Sequence, residues 1–330
     1  MAIKSNGPLS FSEIASEFGD TAPHSMSEFI RGGGKVPQAG ANGNIPESAA
    51  VMRFSHFYGA VNVIAYTASN GTNLNASTAF GSSWSDNVPK ELIIPSGVTI
   101  GSTSTGTAAL ILPTGMGGTL TIKNSGSVQG AGGASNSGTG GDAILVQVSG
   151  ITIENSGSIY AGGGGGGLGG TGGQGSFSSV QQLGPSPLRE TRANRCNLNC
   201  TKYPVFGAGS YCCGVCYDSD DNDWVCNMCC RVVTTITNSG AGGAGGRGQG
   251  YSQSAASGSV GSTGGTNAGT GGTGGTGGAF GASGATGATG ANGNYTNGSA
   301  GSAGGLAGYY VNGIGNVTFS VTGTVGGRTA

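Results

Sequence analysis

All eight cysteines of this 330-residue chain fall between positions 196 and 230, so its densest reactive chemistry is confined to one short stretch. They read Cys196-x3-Cys200, Cys212-Cys213-x2-Cys216 and Cys226-x2-Cys229-Cys230. Thiols at these spacings suit one of two uses. Cys213, Cys216, Cys226 and Cys229 form two C-x2-C pairs whose thiolates could hold zinc tetrahedrally, although the separation is short for a zinc ribbon and no histidine lies nearby. Alternatively, all eight close as disulfides, which suits a protein that works outside the cell and oxidises after leaving a reducing cytoplasm. Disulfides are the favoured reading, zinc is the minority one, and no other cofactor is expected.

Between the cysteines, Asp218-Ser219-Asp220-Asp221-Asn222-Asp223 begins like a calcium loop. An EF-hand needs Gly where Asp223 stands and Glu where Cys229 stands, so a solvated acidic turn is expected instead. The same stretch holds Tyr203, Phe206, Tyr211, Tyr217 and Trp224, more aromatic surface than a small stapled module needs for its own core. Aromatic side chains on loops held by a rigid support make efficient recognition surfaces. Tyr251 and Tyr295, in short breaks of the glycine tracts, extend this set of candidate contact residues.

Catalysis has little to work with. His24 and His56 are the only histidines, and the carboxylates are few and scattered outside the loop at 218–223, so neither a general base nor a paired-acid cleft can be assembled. Gly34-Lys35 is followed by Val36, which rules out a phosphate loop. The net charge of −1 and the lack of a Lys/Arg cluster exclude nucleic acid as a partner. No apolar run reaches the ~20 residues of a membrane span. Met1 to Gly19 has neither the basic start nor the apolar stretch of a secretory signal, so release by cell lysis is expected.

The elements that must position these residues are unusual. Glycine makes up 73 residues and charged residues only 8%, so an oily core cannot fill most of the chain. Residues 1–61 read as a small unit with short helical turns preceded by serine, including Ser12 to Gly19. Its apolar residues Phe11, Ile14, Phe18, Phe29, Phe54, Phe57 and Tyr58 are too few to promise a stable core and are candidates for attachment to another protein. Residues 62–119 read as a small β domain, with strands at Val61–Tyr66 and Leu92–Pro95 and a modest core around Phe80 and Trp84. Residues 120–330 are glycine-rich, with the cysteine-bearing insertion at 176–232. Here Thr-Ile-x-Asn-Ser-Gly recurs at 121–126, 152–157 and 235–240, and Val317 to Gly323 looks like a closing variant. Strand, turn and glycine run used repeatedly imply a stacked architecture.

Glycine falls on every third position from Gly163 to Gly175 and from Gly269 to Gly293. That period matches a polyglycine-II helix, which has three residues per turn and no internal hydrogen bonds, so its amides must bond laterally. Collagen would need long strict triplets rich in proline, and no proline follows Pro204. A flexible linker would not interleave with matching strand repeats. The fold class expected is therefore mostly β and irregular: a helical N-terminal unit, a small β domain, and a polyglycine-II lattice carrying strand repeats and a cysteine-rich loop module.

Ile153 to Gly167 and Asn316 to Val325, with the earlier Leu120 to Gly133, resemble the glycine-rich tip proteins of phage tails, among them the distal long-tail-fibre adhesins of T-even phages and related siphophage tail proteins. The resemblance covers about residues 92–330, interrupted by the cysteine module, which has no counterpart there. Pro8 to Gly59 is similar to a short N-terminal segment common in phage tail proteins. The resemblance implies a virion protein that a lattice of polyglycine-II helices makes rigid. Variable loops would touch a host surface receptor, protein or glycan, and the N-terminal part would attach to a tail or tail-fibre protein. The competing class is a purely structural tail component. An ice-binding or coat protein would need a signal peptide or a broad flat threonine array.

Overall fold

The computed structural model describes residues 3–33, 35–37, 42–85, 89–182, 188–190, 210–212, 216–218, 224–226 and 229–330. Among these, no helix is long and apolar enough to cross a membrane.

The N-terminal unit opens with the helix Phe11–Glu17. Ser10, not Ser12, is its N-cap: the Ser10 hydroxyl accepts from the Glu13 amide at 3.3 Å and the Glu13 carboxylate accepts from the Ser10 amide at 2.7 Å. Ile14, Phe18, Phe29, Val36, Ile45 and Phe57 bury together in one cluster, with Phe29 and Phe57 crossing edge to face at 6.3 Å. The unit thus has a core of its own, contrary to the expectation from its size. The buried Asn42 amide ties it to the next element, donating to the Val61 carbonyl at 2.8 Å and accepting from the Val61 amide at 2.9 Å.

From residue 64 the chain winds into a three-faced parallel β-solenoid of five rungs. The first face stacks Ile64–Thr67, Lys90–Ile94, Leu120–Asn124, Ile151–Asn155 and Val317–Val321. The second stacks Gly71–Thr72, Thr99–Gly101, Ser127–Gln129, Ser158–Tyr160 and Thr324–Gly326, and the third Leu74–Asn75, Leu110–Leu112, Ile144–Val146, Tyr309–Asn312 and Arg328–Thr329. On the first face, burial alternates strictly along the strands starting at 90, 120 and 151, as a period of two requires. Leu92, Ile122 and Ile153 stack in register on the inside, each worth roughly 1.5–3 kcal/mol of burial. Phe80 and Trp84 pack into the same core, as expected from the sequence.

The solenoid explains the repeated hexapeptide. Asn124 and Asn155 point inward at the corner after the first face, where an unpaired amide would be costly. They satisfy each other: Asn124 Nδ2 donates to Asn155 Oδ1 at 2.8 Å and to the Ser158 carbonyl at 3.1 Å, while Asn124 Oδ1 accepts from the Gly126 amide at 3.1 Å. The third copy of the hexapeptide is different. Thr235 to Thr237 lie on an antiparallel ribbon, Gly175–Gln182 paired with Cys229–Thr237, outside the stack.

Two expected boundaries are corrected by this topology. Lys90–Ile94 pairs with Leu120–Asn124, so the division at 119/120 falls between two rungs of one solenoid. The glycine-rich chain is not a terminal domain either. It consists of two excursions, 130–141 between second and third faces of the third rung and 161–308 at the same corner of the fourth, after which residues 309–329 complete the solenoid.

Outside the ribbon, residues 130–141, 161–174 and 238–308 form a bundle of runs that are neither helix nor strand, bonded side by side. At its centre lies 161–174. Gly163, Gly166, Gly169 and Gly172 donate to Gln249, Gly246, Gly243 and Gly240 at 2.7–2.8 Å. Gly164, Gly167, Gly170 and Gly173 donate to Ala282, Ala285, Ala288 and Ala291 at 2.8–3.0 Å. Two more runs donate into it, 269–278 through Gly278 to Gly164 and 299–308 through Gly305 to Gly165. Bonds therefore recur every third residue in each direction. The spacing leaves no room for a methyl: a Cβ on Gly164 would lie 1.9 Å from the Gly305 carbonyl oxygen, and one on Gly165 1.8 Å from that of Ala134.

Candidate functional site

The bundle has two ends. One abuts the solenoid: the Gly281 amide donates to the Ala161 carbonyl at 2.9 Å, and the Phe280 ring stacks on Tyr160 at 5.5 Å. Tyr251 belongs to this end. Its half-buried ring lies over Gly101, where a Cβ would sit 2.1 Å from the ring, and its amide donates to the Gly130 carbonyl at 3.1 Å. As a contact residue for an outside partner Tyr251 is thus corrected: it fastens bundle to solenoid.

At the opposite end the turns at 264–268 and 292–297 meet the base of the antiparallel ribbon. Asn294 organises the junction. Its Oδ1 accepts from the Ser176 amide at 2.7 Å and its Nδ2 donates to the Ser176 carbonyl at 2.9 Å, so one side chain satisfies both polar groups of one residue. Asn267, in the left-handed region at φ 61°, donates from Nδ2 to the same carbonyl at 3.0 Å. The Thr237 hydroxyl donates to the Thr266 carbonyl at 2.7 Å, and the Asn294 amide to the Asn267 carbonyl at 3.1 Å.

This propped cluster displays Tyr295, 54% exposed, and the ribbon it supports carries Phe177 and Ile236, 38% and 48% exposed, on its two opposite faces. Residues 174–179, 232–240, 264–268 and 292–297 contain no Asp, Glu, Lys or Arg. Its chemistry is hydroxyl, carboxamide and exposed apolar surface, a mixture suited to hydrogen bonding and stacking against an uncharged target. Sequence reasoning found Tyr295 but missed Phe177, Ile236, Asn267 and Asn294. The register of the ribbon, which pairs Phe177 with Thr235 and Ser176 with Ile236, was the signal needed, and it depends on strands more than 50 residues apart.

Of the other candidates, Tyr203, Phe206, Cys196, Cys200 and Cys213 lie outside the described residues. Tyr211 and Cys212, Cys216 and Tyr217, Trp224 and Cys226, and Cys229 and Cys230 lie on strands described by backbone alone, so the choice between disulfides and zinc also falls outside what is described.

The candidate attachment residues divide. Ile14, Phe18, Phe29 and Phe57 are core residues, at most 4% exposed, and cannot reach a partner. Phe54 is 41% exposed with Val51 beside it in sequence at 64%; Phe11 is half-buried against Phe54 at 5.9 Å; Tyr58 donates its hydroxyl to the Gly7 carbonyl. Two groups of charges in the unit are paired. Lys4 lies 2.6 Å from Glu13 and, with the Ser10 cap, lowers the Glu13 carboxyl from 4.5 to about 2. Lys35 and His24, both at 2.7 Å, hold Asp20 below its ordinary range.

Residues 60–203 match the family described as phage tail fibre adhesin Gp38. The chain is also similar to a solved structure, the crystal structure of the gp37-gp38 adhesin tip complex of the bacteriophage S16 long tail fibre, at 17% identity over 99% of this chain and 100% of that one, with a TM-score of 0.39. No curated protein sequence matches.

Proposed function

We propose, from the match of residues 60–203 to the phage tail fibre adhesin family, that the chain sits at the end of a tail fibre and binds a host surface receptor through the turn cluster at the free end of its bundle. The carrying observation is that cluster: uncharged, exposed, and held by Asn267 and Asn294 on the bundle end away from the solenoid. The bundle is read as a polyglycine-II lattice, a reading supported by lateral bonds recurring every third residue. A rigid stand of this kind spares the cost of ordering its loops when they bind. The ribbon, continuing into the cysteine segment, would extend the same surface, with the thiols oxidised to disulfides in the released virion.

The N-terminal unit is proposed to dock on the fibre, with Phe54 and Val51 as its exposed apolar contacts. The role is binding rather than catalysis, and several copies on one virion would turn weak contacts into lasting attachment. Purified chain should compete with virions for adsorption to host cells. A chain carrying Tyr295→Ala, Phe177→Ala and Ile236→Ala should lose at least tenfold in competing potency. Undiminished competition by that variant refutes the site, and no competition by the wild type makes the chain a structural fibre component.

A further inference from the structure

The outer rows of the glycine bundle pose a problem of their own. A run with no internal hydrogen bonds carries an unpaired amide wherever it lacks a neighbour, and a row of such amides is a template for another chain, as at the edge of a β-sheet. The central run meets this at its far half. The hairpin 130–141 covers it only as far as its turn at Asn136 and Ser137. The row that is Gly162 and Gly165 under the hairpin becomes Leu168, Thr171 and Gln174 beyond it, all exposed. In the adjoining run the row facing the hairpin changes at the same level, from Gly308 and Gly305 to Ser302, Ser299 and Thr296.

These hydroxyls close the gap. The amides of Leu168, Thr171 and Gln174 donate to Ser302 Oγ, Ser299 Oγ and Thr296 Oγ1 at 2.7, 2.8 and 2.7 Å. In return the amides of Ser302, Ser299 and Thr296 donate to the carbonyls of the same three residues at 2.8, 2.9 and 3.2 Å. The device recurs on a separate edge: the Ala241 and Ala244 amides donate to Ser262 Oγ and Ser259 Oγ at 2.7 and 2.8 Å, and both serine amides donate back to the Ala241 and Ala244 carbonyls at 2.9 and 2.8 Å. Each pair is a two-bond clamp between exposed residues on neighbouring runs.

We propose that these hydroxyl clamps seal these two edges of the bundle against a second copy of this chain, whose own glycine runs are the partner that an open edge would fit. Glycine marks rows that another run covers, and serine or threonine marks rows where coverage ends. A second copy is the partner favoured because the unclamped rows would offer the same three-residue spacing and the same donors that the runs already satisfy among themselves.

The full-length chain carrying Ser259→Ala and Ser262→Ala, and a second variant with Ser299→Ala and Ser302→Ala, test this. Each change removes one exposed oxygen and leaves the backbone bonds between runs in place. Amide exchange at Ala241 and Ala244, or at Leu168 and Thr171, should speed up about tenfold, and light scattering should show mass rising with concentration above that of the wild type. Ser→Thr at the same sites should restore both properties and provides the control should either alanine variant fail to fold. Wild-type exchange at these amides as fast as in an unfolded chain overturns the proposal, and so do alanine variants that open the amides but gain no mass. Because adsorption is not read, failure here leaves the receptor-binding reading standing.

Discussion

In the solenoid, Leu120, Ile122, Ile151 and Ile153 fill the interior and the strands bond between rungs. In the bundle, the central run 161–174 has Leu168 as its one large apolar side chain, and that residue is 44% exposed. Both regions satisfy their backbone laterally, but they gain cohesion from opposite sources. The solenoid removes apolar surface from water. The bundle removes side chains altogether, so that peptide groups approach closely enough to bond on several sides at once. One region tolerates a change of shape among similar oily residues, whereas the other tolerates no atom at all where runs meet.

The sharpest way to break the comparison is to add atoms to the bundle. In Gly166→Val the new Cβ would lie 2.0 Å from the Gly275 carbonyl oxygen, backbone that cannot rotate away. The expected cost exceeds ~3 kcal/mol, above the usual range for overpacking. Amide exchange should show protection lost across 163–172 and 269–278 while the solenoid strands stay protected at Ile122 and Ile153; retained protection in the bundle would refute close packing as its source of cohesion. Removing atoms from the solenoid comes next. Ile153→Ala should cost about 2–5 kcal/mol, read as a lower denaturant midpoint, and should loosen the bundle too because both ends of the second excursion hang from the fourth rung.

The smallest effect separates both regions from the N-terminal unit. Glu13 and Asp20 have lowered folded pKa values, so their stabilisation is complete above their unfolded values and is lost as pH falls, for Glu13 between 4.5 and about 2. Residues 239–308 contain Arg247 as their single charged side chain, so the bundle has almost nothing to titrate with acid. Exchange measured at pH 5 and pH 2.5 should show Phe18 and Phe29 losing protection relative to Gly169 and Gly243. A uniform loss would mean the regions do not differ in this way.

Much of this was legible in the residues themselves. The hexapeptide at 121–126 and 152–157 implied stacking because each copy carries its own alternation and its own inward asparagine. Triplet glycines implied lateral bonding because the backbone has no other way to pair. What the sequence hid was long-range. Tyr309–Asn312 joins Ile144–Val146 across the whole second excursion, and nothing local in four residues announces that partner. Phe18, Phe29 and Phe57 looked like exposed contacts because a short aromatic segment gives no sign of how completely it can fold on itself. Tyr251 looked like a displayed loop residue because the slot it fills is the missing side chain of Gly101.

The second excursion leaves the solenoid after Ser158–Tyr160 and returns at Tyr309–Asn312, consecutive strands of one rung. Departure and return are therefore neighbours, and the remaining contacts with the stem, through Tyr251, Phe280 and Gly281, all lie at the near end of the bundle. Such a head behaves as a cassette: turns at its far end can be lengthened, shortened or exchanged without changing the register of any strand beneath.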